Sequence, residues 1–283
     1  MANRPSSPPP DPDAAPHAAR AADAFARLVA IMTRLRGPGG CPWDREQTLA
    51  SLAPYVIEEA AEVVDAIERG DHDNLREEIG DLLFEGVFLA EVTRTDGAFD
   101  VADAIATVNE KLVRRHPHVF RADASLTPDE VRQRWDAIKA QEKAARGAPP
   151  DDVLSGVAVS LPALMRARDL CRKAATVGFD WPDVASILDK VDEELLELRE
   201  AIAAERRDAA AEELGDLLFV LANLARRLDV DPEAALRAAN RKFERRFRVM
   251  QAIVESAGTR LADATLDEME AGWQEAKRRE GES

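Results

Sequence analysis

Eight carboxylates stand in two matching sets. The first is Glu59, Glu62, Glu78 and Asp81; the second is Glu194, Glu197, Glu213 and Asp216. Each acid of the first set precedes its counterpart by 135 positions (Glu59 to Glu194, Asp81 to Asp216). The surrounding text repeats too: E-E-A-A-E then E-I-G-D-L-L-F in the first copy, E-E-L-L-E then E-L-G-D-L-L-F in the second. On a helix, residues three apart share a face, and about 100° separates neighbours. Glu59 then falls among Tyr55, Val63 and Ala66, Glu194 beside Leu198 and Ala201, and Glu213 beside Leu217 and Val220. These acids lie inside an apolar stripe, with Glu62, Glu197 and Asp216 at its edge.

A carboxylate removed from water is costly unless it is paired or metal-bound. Four acids converging from two antiparallel helices also repel one another, and a divalent cation resolves that repulsion. An all-oxygen donor set selects a hard ion, Mg²⁺ or else Mn²⁺. The bland alternative for any single E-x-x-E is a solvated acidic face, and for the set it is neutralisation by arginines; repetition in register weighs toward the metal. A ferritin-like di-iron site needs E-x-x-H on two helices, and none of His17, His72, His116 and His118 stands in that spacing. Zinc has no His/Cys cluster to hold it.

A polyphosphate is the usual reason for such a cation cluster. The second copy supplies suitable partners for phosphate oxygens: Asn240, Lys242, Arg245 and Arg246 fall within two helical turns, and Lys242 and Arg246 share a face. The competing reading of this segment is a basic surface that offsets the acidic charge.

The elements that must position these groups are helical. The chain has 283 residues, 46% hydrophobic, 33% charged and only 5% aromatic. Abundant Ala, Leu, Glu and Arg favour helix, and the length fits two domains. We expect a disordered tail over 1–19, a first domain over 20–146, a linker over 147–158 containing G-A-P-P-D-D, and a second domain over 159–283. The first domain is expected to hold helices from about Ala21 to Arg36, one ending near Gly70, one capped by Asp73 or Asn74 and reaching about Arg94, and two more over Val101–Arg115 and Pro128–Arg146. The second repeats this order, with helices over Leu161–Ala175, the two acidic helices, Pro232–Glu255 and Leu266–Arg279. The fold class is all-α, two tandem bundles of about five helices each.

The net charge of −16 argues against a nucleic-acid partner and against an anionic membrane surface. No apolar run reaches about 18 residues, so no membrane span is expected, and the N-terminus has no apolar signal core. Two cysteines, Cys41 and Cys171, without C-x-x-C spacing, fit a reducing cytosol and a cytoplasmic location.

Taken together, E-E-x-x-E followed by E-x-x-D resembles the MazG family of nucleoside triphosphate pyrophosphohydrolases. The resemblance runs from about residue 24 to near the C-terminus. It includes C-P-W-D-R-E-Q-T, V-I-E-E-A-A-E-V-V-D-A-I and V-G-F-D-W, and the duplication resembles the two-domain form of the family. It implies a Mg²⁺-dependent cleavage of ribo- and deoxyribonucleoside triphosphates between the α and β phosphates. The products are the monophosphate and pyrophosphate. The implied metal ligands are Glu194, Glu197, Glu213 and Asp216. Lys190, Lys242 and Arg246 would contact the triphosphate and Trp273 would lie against the nucleotide. A homodimer with bundles completed across subunits is also implied.

The copies are unequal. Tyr55 stands where Lys190 would be, nothing basic between Gly37 and Trp43 matches Lys173, and Glu85 replaces Val220. The second half is therefore expected to be the main catalyst. Two other readings remain open: a narrower dUTP- or dCTP-type pyrophosphatase, and a nucleotide sensor without turnover. Trp43 and Trp181 are better read as core or loop anchors than as base stackers.

Overall fold

The computed structural model describes residues 14–120, 126–145 and 152–281. Every element among them is helical, and the chain divides into two units, Met1–Ala148 and Pro149–Ser283.

The first unit begins with α1 (Ala14–Arg36), which starts well before Ala21. The A-A-P-H-A-A-R-A-A run explains the early start: alanine is the strongest helix former, and Pro16 is tolerated in a first turn. Of the tail expected over 1–19, residues 1–13 lie outside the described residues, and 14–19 are helix. A tight turn ends α1, and a Cβ on Gly40 would run into the Leu35 carbonyl oxygen. The short α2 (Pro42–Glu46) follows.

α3 (Leu49–Arg69) opens with a reciprocal cap between Thr48 and Ser51 and closes at Gly70, whose φ of 68° is left-handed. α4 (His72–Thr95) is capped by Asp71, whose carboxylate accepts from the Asn74 N–H at 3.1 Å. Sequence spacing pointed to Asp73 or Asn74 instead. The extended backbone at Asp71, directly behind the left-handed glycine, settles the cap earlier than either.

The resulting α3–α4 hairpin packs on α1 through Met32, Leu52, Val87, Phe88 and Val92. α5 (Val101–Arg115), α6 (Pro117–Phe120) and α7 (Pro128–Ala145) complete the unit. The turn at α6 was not foreseen; Pro117 suits a first helical position.

Unit two contains α8 (Ala163–Ala175), α9 (Val184–Ala203), α10 (Arg207–Arg227), α11 (Pro232–Ser256) and α12 (Leu266–Gly281). A 3₁₀ turn at Leu261–Asp263 was likewise not foreseen. Asp183 caps α9 through the Ser186 N–H at 2.8 Å, and Asp231 caps α11 through the Ala234 N–H at 2.9 Å. α9 and α10 form the second acidic hairpin, α8 packs on α10, and α12 packs along α11.

One close approach fixes the α11–α12 pair. A Cβ on Gly272 would sit 3.2 Å from Met250 Cγ and 3.5 Å from Val254 Cγ2. Gly272→Leu is expected to destabilise this unit by about 1–3 kcal/mol through overpacking, read as a lower calorimetric midpoint; an unchanged midpoint contradicts the contact.

The repeat extends to a guanidinium clamp. Arg114 and Arg115 of α5 hold Glu142 of α7 at 2.6 and 2.5 Å, and Arg245 and Arg246 of α11 hold Glu280 of α12. The Glu142 carboxyl is pulled down to about 2, first by its hydrogen bond from Arg115. Its native value lies below the unfolded one, near 4.5, so its stabilisation is complete above about pH 4.5. It is lost as the pH falls toward about 2. Glu142→Gln is therefore expected to flatten the acid limb of the unfolding curve below pH 4.5, with the limb above it unchanged.

Candidate functional site

Each acidic hairpin presents a carboxylate triad on its inner face. In the first, Glu59 of α3 meets Glu78 and Asp81 of α4; in the second, Glu194 of α9 meets Glu213 and Asp216 of α10. Within each triad, one oxygen from every residue lies within 4.8 Å of the others. The hairpins bring this about because the left-handed Gly70 and the corresponding tight turn at Glu205 (φ 53°) return the chain antiparallel.

The fourth acids, Glu62 and Glu197, are exposed and stand outside the triads. Glu62 remains a neighbour of Glu78, whose charge is the main reason its carboxyl is held above the ordinary value.

Burial is strongest at Glu194, which is 4% exposed. Desolvation, followed by the charges of Glu197 and Glu194, pushes the Glu213 carboxyl up. Desolvation and then Asp81 do the same to Glu59. Glu85, 6% exposed, adds a further carboxyl to the first site, raised by burial and then by Glu59 and Asp81. Glu59 and Glu85 each keep a buried Oε2 with no hydrogen-bond partner.

A buried carboxylate oxygen without a donor is what a cation would satisfy. Oxygen donors crowded within 4.8 Å suit a hard divalent ion. The residues at both triads therefore fit a divalent cation.

The copies differ in what surrounds the acids. Lys190 Nζ lies 2.8 Å from both Glu193 and Glu194, so it is the counter-ion of the most buried acid as well as a candidate phosphate partner. These hydrogen bonds push its ammonium up. Copy one has Tyr55 there and no equivalent cation. It has instead Asn74, whose side-chain amide donates to Glu78. The i,i+4 spacing from Asn74 to Glu78 was legible in the sequence but went unread; Ala209 stands at the matching place in copy two.

Of the other anticipated substrate residues, Lys173 lies on α8, Trp273 on α12 and the rest on α11. α11 packs along α12 rather than along α9. Arg245 and Arg246 are engaged with Glu280, while Asn240 and Lys242 are exposed. Trp273 sits 5.4 Å from Phe243, ring centre to ring centre, and Lys173 is half-buried near the end of α8. The V-G-F-D-W loop is anchored by Asp180, which accepts from Arg226 and Arg227 and is held below the ordinary carboxylate value mainly by Arg226. Trp43 makes edge contacts with Tyr55 at 6.2 Å and Phe88 at 6.4 Å.

The two classes of carboxyl act in different pH windows. Glu59, Glu62, Glu85 and Glu213 are raised in the folded chain, so their cost begins as pH rises past the unfolded value near 4.5. Without divalent ions, the melting temperature is expected to fall between pH 5 and 7.5. Added Mg²⁺ is expected to restore it at pH 7.5 and to do little at pH 5 (thermal melts in EDTA and in Mg²⁺). An equal effect at both pH values contradicts this linkage.

Comparison with known proteins agrees with this geometry. The MazG nucleotide pyrophosphohydrolase domain matches residues 47–120 and 183–249, one segment in each unit. A nucleoside triphosphate pyrophosphohydrolase of Escherichia coli K12 is 47% identical over 259 residues, covering 90% of this chain and 97% of that protein. A nucleoside triphosphate pyrophosphohydrolase/pyrophosphatase MazG of Thermotoga maritima is 44% identical over 253 residues, covering 89% of this chain and 95% of the relative. With this identity across nearly the whole length of both relatives, and an acidic hairpin in each matched segment, the chain belongs to the MazG family.

Proposed function

We propose that this chain hydrolyses ribo- and deoxyribonucleoside triphosphates to the monophosphate and pyrophosphate, with broad base tolerance. The supporting observation is the second carboxylate triad, Glu194, Glu213 and Asp216, with Lys190 beside it, in a chain whose relatives are named for this activity. Glu194, Glu213 and Asp216, with Glu197 at the rim, would hold Mg²⁺, or Mn²⁺ in its place. A divalent ion there supplies charge neutralisation for phosphate oxygens and Lewis acidity toward water. The chain's part is positional. The α9–α10 hairpin fixes three carboxylates on one face, and Lys190 balances Glu194. Lys242 and Arg246 remain the proposed triphosphate partners, with Arg245, Asn240, Lys173 and Trp273 around the nucleotide. The first triad is proposed to be weakly active, regulatory or architectural.

We also propose a homodimer. Leu214, Leu218 and Leu221 form a stripe on α10 exposed by 39–48%, and Ile79 and Leu83 repeat it on α4 at 45% and 51%. Apolar stripes of this kind beside the acids favour a covering copy, which would bring further side chains to a triad that one chain leaves open. The two free cysteines and acidic balance support a cytoplasmic setting.

Incubation with ATP, dTTP and dUTP plus Mg²⁺ tests the activity. Equimolar monophosphate and pyrophosphate are expected from all three. Turnover of dUTP alone would favour the narrower pyrophosphatase, and binding without pyrophosphate would favour a sensor.

A further inference from the structure

We propose that the cavity beside Asn223 is the nucleobase subsite of the second unit, and that Phe88 fills the same place in the first. The inference deepens the proposed activity and rests on it for the nature of the ligand. The cavity, about 260 Å³, lies between α8, the V-G-F-D-W loop and α10. That is below the ~300–1,000 Å³ typical of pockets that take a whole drug-sized ligand, and it suits one flat ring system. Leu170, Ala174, Phe179, Trp181 and Phe219 give it apolar and aromatic walls, surfaces on which a π-system stacks.

Its polar character comes from one group. Asn223 is fully buried, and its Oδ1 accepts from Arg226 Nε at 2.7 Å, which fixes the amide orientation. Its Nδ2 is left buried with no partner. The other polar lining residue, Asp180, is already engaged by Arg226, Arg227 and the Trp181 N–H. With Cys171 adding only a weak thiol, the strong unpartnered group in the lining is the Asn223 N–H donor, the complement of a ring carbonyl or ring nitrogen on a base edge.

Placement agrees. Phe219 and Asn223 lie one and two turns beyond Asp216 on α10, so the amide stands about 10 Å along the helix axis from the acid triad. A sugar and its first phosphates span a distance of that order.

Copy one carries an apolar ring at the matching position. Phe88 precedes Asn223 by the same offset as the acids, is fully buried, and belongs to the Met32–Leu52–Val92 core. Phe84, the counterpart of Phe219, lies 5.6 Å away, and the Arg36 guanidinium covers the Phe88 ring at 5.6 Å. An apolar ring occupies the place where copy two keeps an amide and a cavity.

Binding distinguishes a base subsite from a general disturbance, and it does not depend on turnover. The probes are α,β-methylene-dTTP and inorganic tripolyphosphate with Mg²⁺, measured by calorimetry on the full chain. Asn223→Phe, which installs the residue of copy one, is expected to weaken the methylene analogue at least 10-fold and tripolyphosphate less than 2-fold. Asn223→Asp keeps the volume, replaces the donor with an acceptor, and is expected to show the same split. The analogue is also expected to quench Trp181 fluorescence in the wild-type chain and not in Asn223→Phe. Equal weakening of both probes, or unchanged analogue affinity, overturns the subsite. Tight analogue binding in a chain that releases no pyrophosphate from dTTP itself would instead overturn the proposed activity and leave the subsite standing.

Discussion

Glu213→Gln will lower pyrophosphate release by about 100-fold or more, the scale set by removing one electrostatic group at a reacting centre; Glu78→Gln will leave most of the rate. The two substitutions are matched in size, and each removes one triad charge from a half-buried site. Among the described residues neither is held in an ion pair, although Glu78 accepts from the Asn74 amide; Glu194 would be a poorer choice because Lys190 is bound to it.

The asymmetry has three physical sources. Copy two carries the Lys190 cation at its most buried acid, whereas copy one has Tyr55. Copy one adds the buried Glu85 to an already repulsive set. Phe88 places an apolar ring where copy two has the Asn223 amide beside a cavity. A larger loss from Glu78→Gln than from Glu213→Gln, measured as initial rates on the same triphosphate, contradicts the assignment of the main catalyst to the second unit.

Leu218→Glu is the second large effect. Leu218 is 45% exposed between Leu214 and Leu221 on the outer stripe of α10, so the substitution leaves the buried interior of the single chain untouched. In a homodimer built on this stripe, the new charge would be desolvated against an apolar partner, which is strongly unfavourable. Sedimentation is expected to show a monomer where the wild-type chain shows a dimer, and pyrophosphate release is expected to fall with it. A dimer of undiminished affinity places the interface elsewhere. A fully active monomer shows that one chain completes the site.

Much of the helical frame was readable because its signals are local. Val101–Arg115 follows from an Asp100 cap and two terminal arginines, and Gly70 marks the end of α3 through a left-handed turn that favours glycine. The carboxylate clusters left a trace in the sequence because i,i+3 spacing on a helix and the repeat offset both survive in one dimension. Contacts between helices were harder to read. The hold of Arg245 and Arg246 on Glu280 joins residues over 30 positions apart. The arginine pairs Arg114–Arg115 and Arg245–Arg246 repeat, but no linear rule says that Glu142 and Glu280 pair with them. The same limit hid Asn223, since a polar residue inside an apolar helix face declares its role only when the facing wall is known. Its mismatch with Phe88 at the repeat offset was the available signal. At α1, intrinsic alanine propensity outweighed the Pro-rich context that had favoured disorder.

The most direct measurement uses one variant chain in which Glu59→Gln, Glu62→Gln, Glu78→Gln and Asp81→Asn remove every charge of the first acidic set. With Mg²⁺ and dTTP, this chain is expected to release pyrophosphate at a rate within about 3-fold of wild type, as substitutions that take no part in the reacting centre should allow. Loss of pyrophosphate release in a chain that keeps its wild-type fold and assembly state would contradict the claim that Glu194, Glu213 and Asp216 form the working centre.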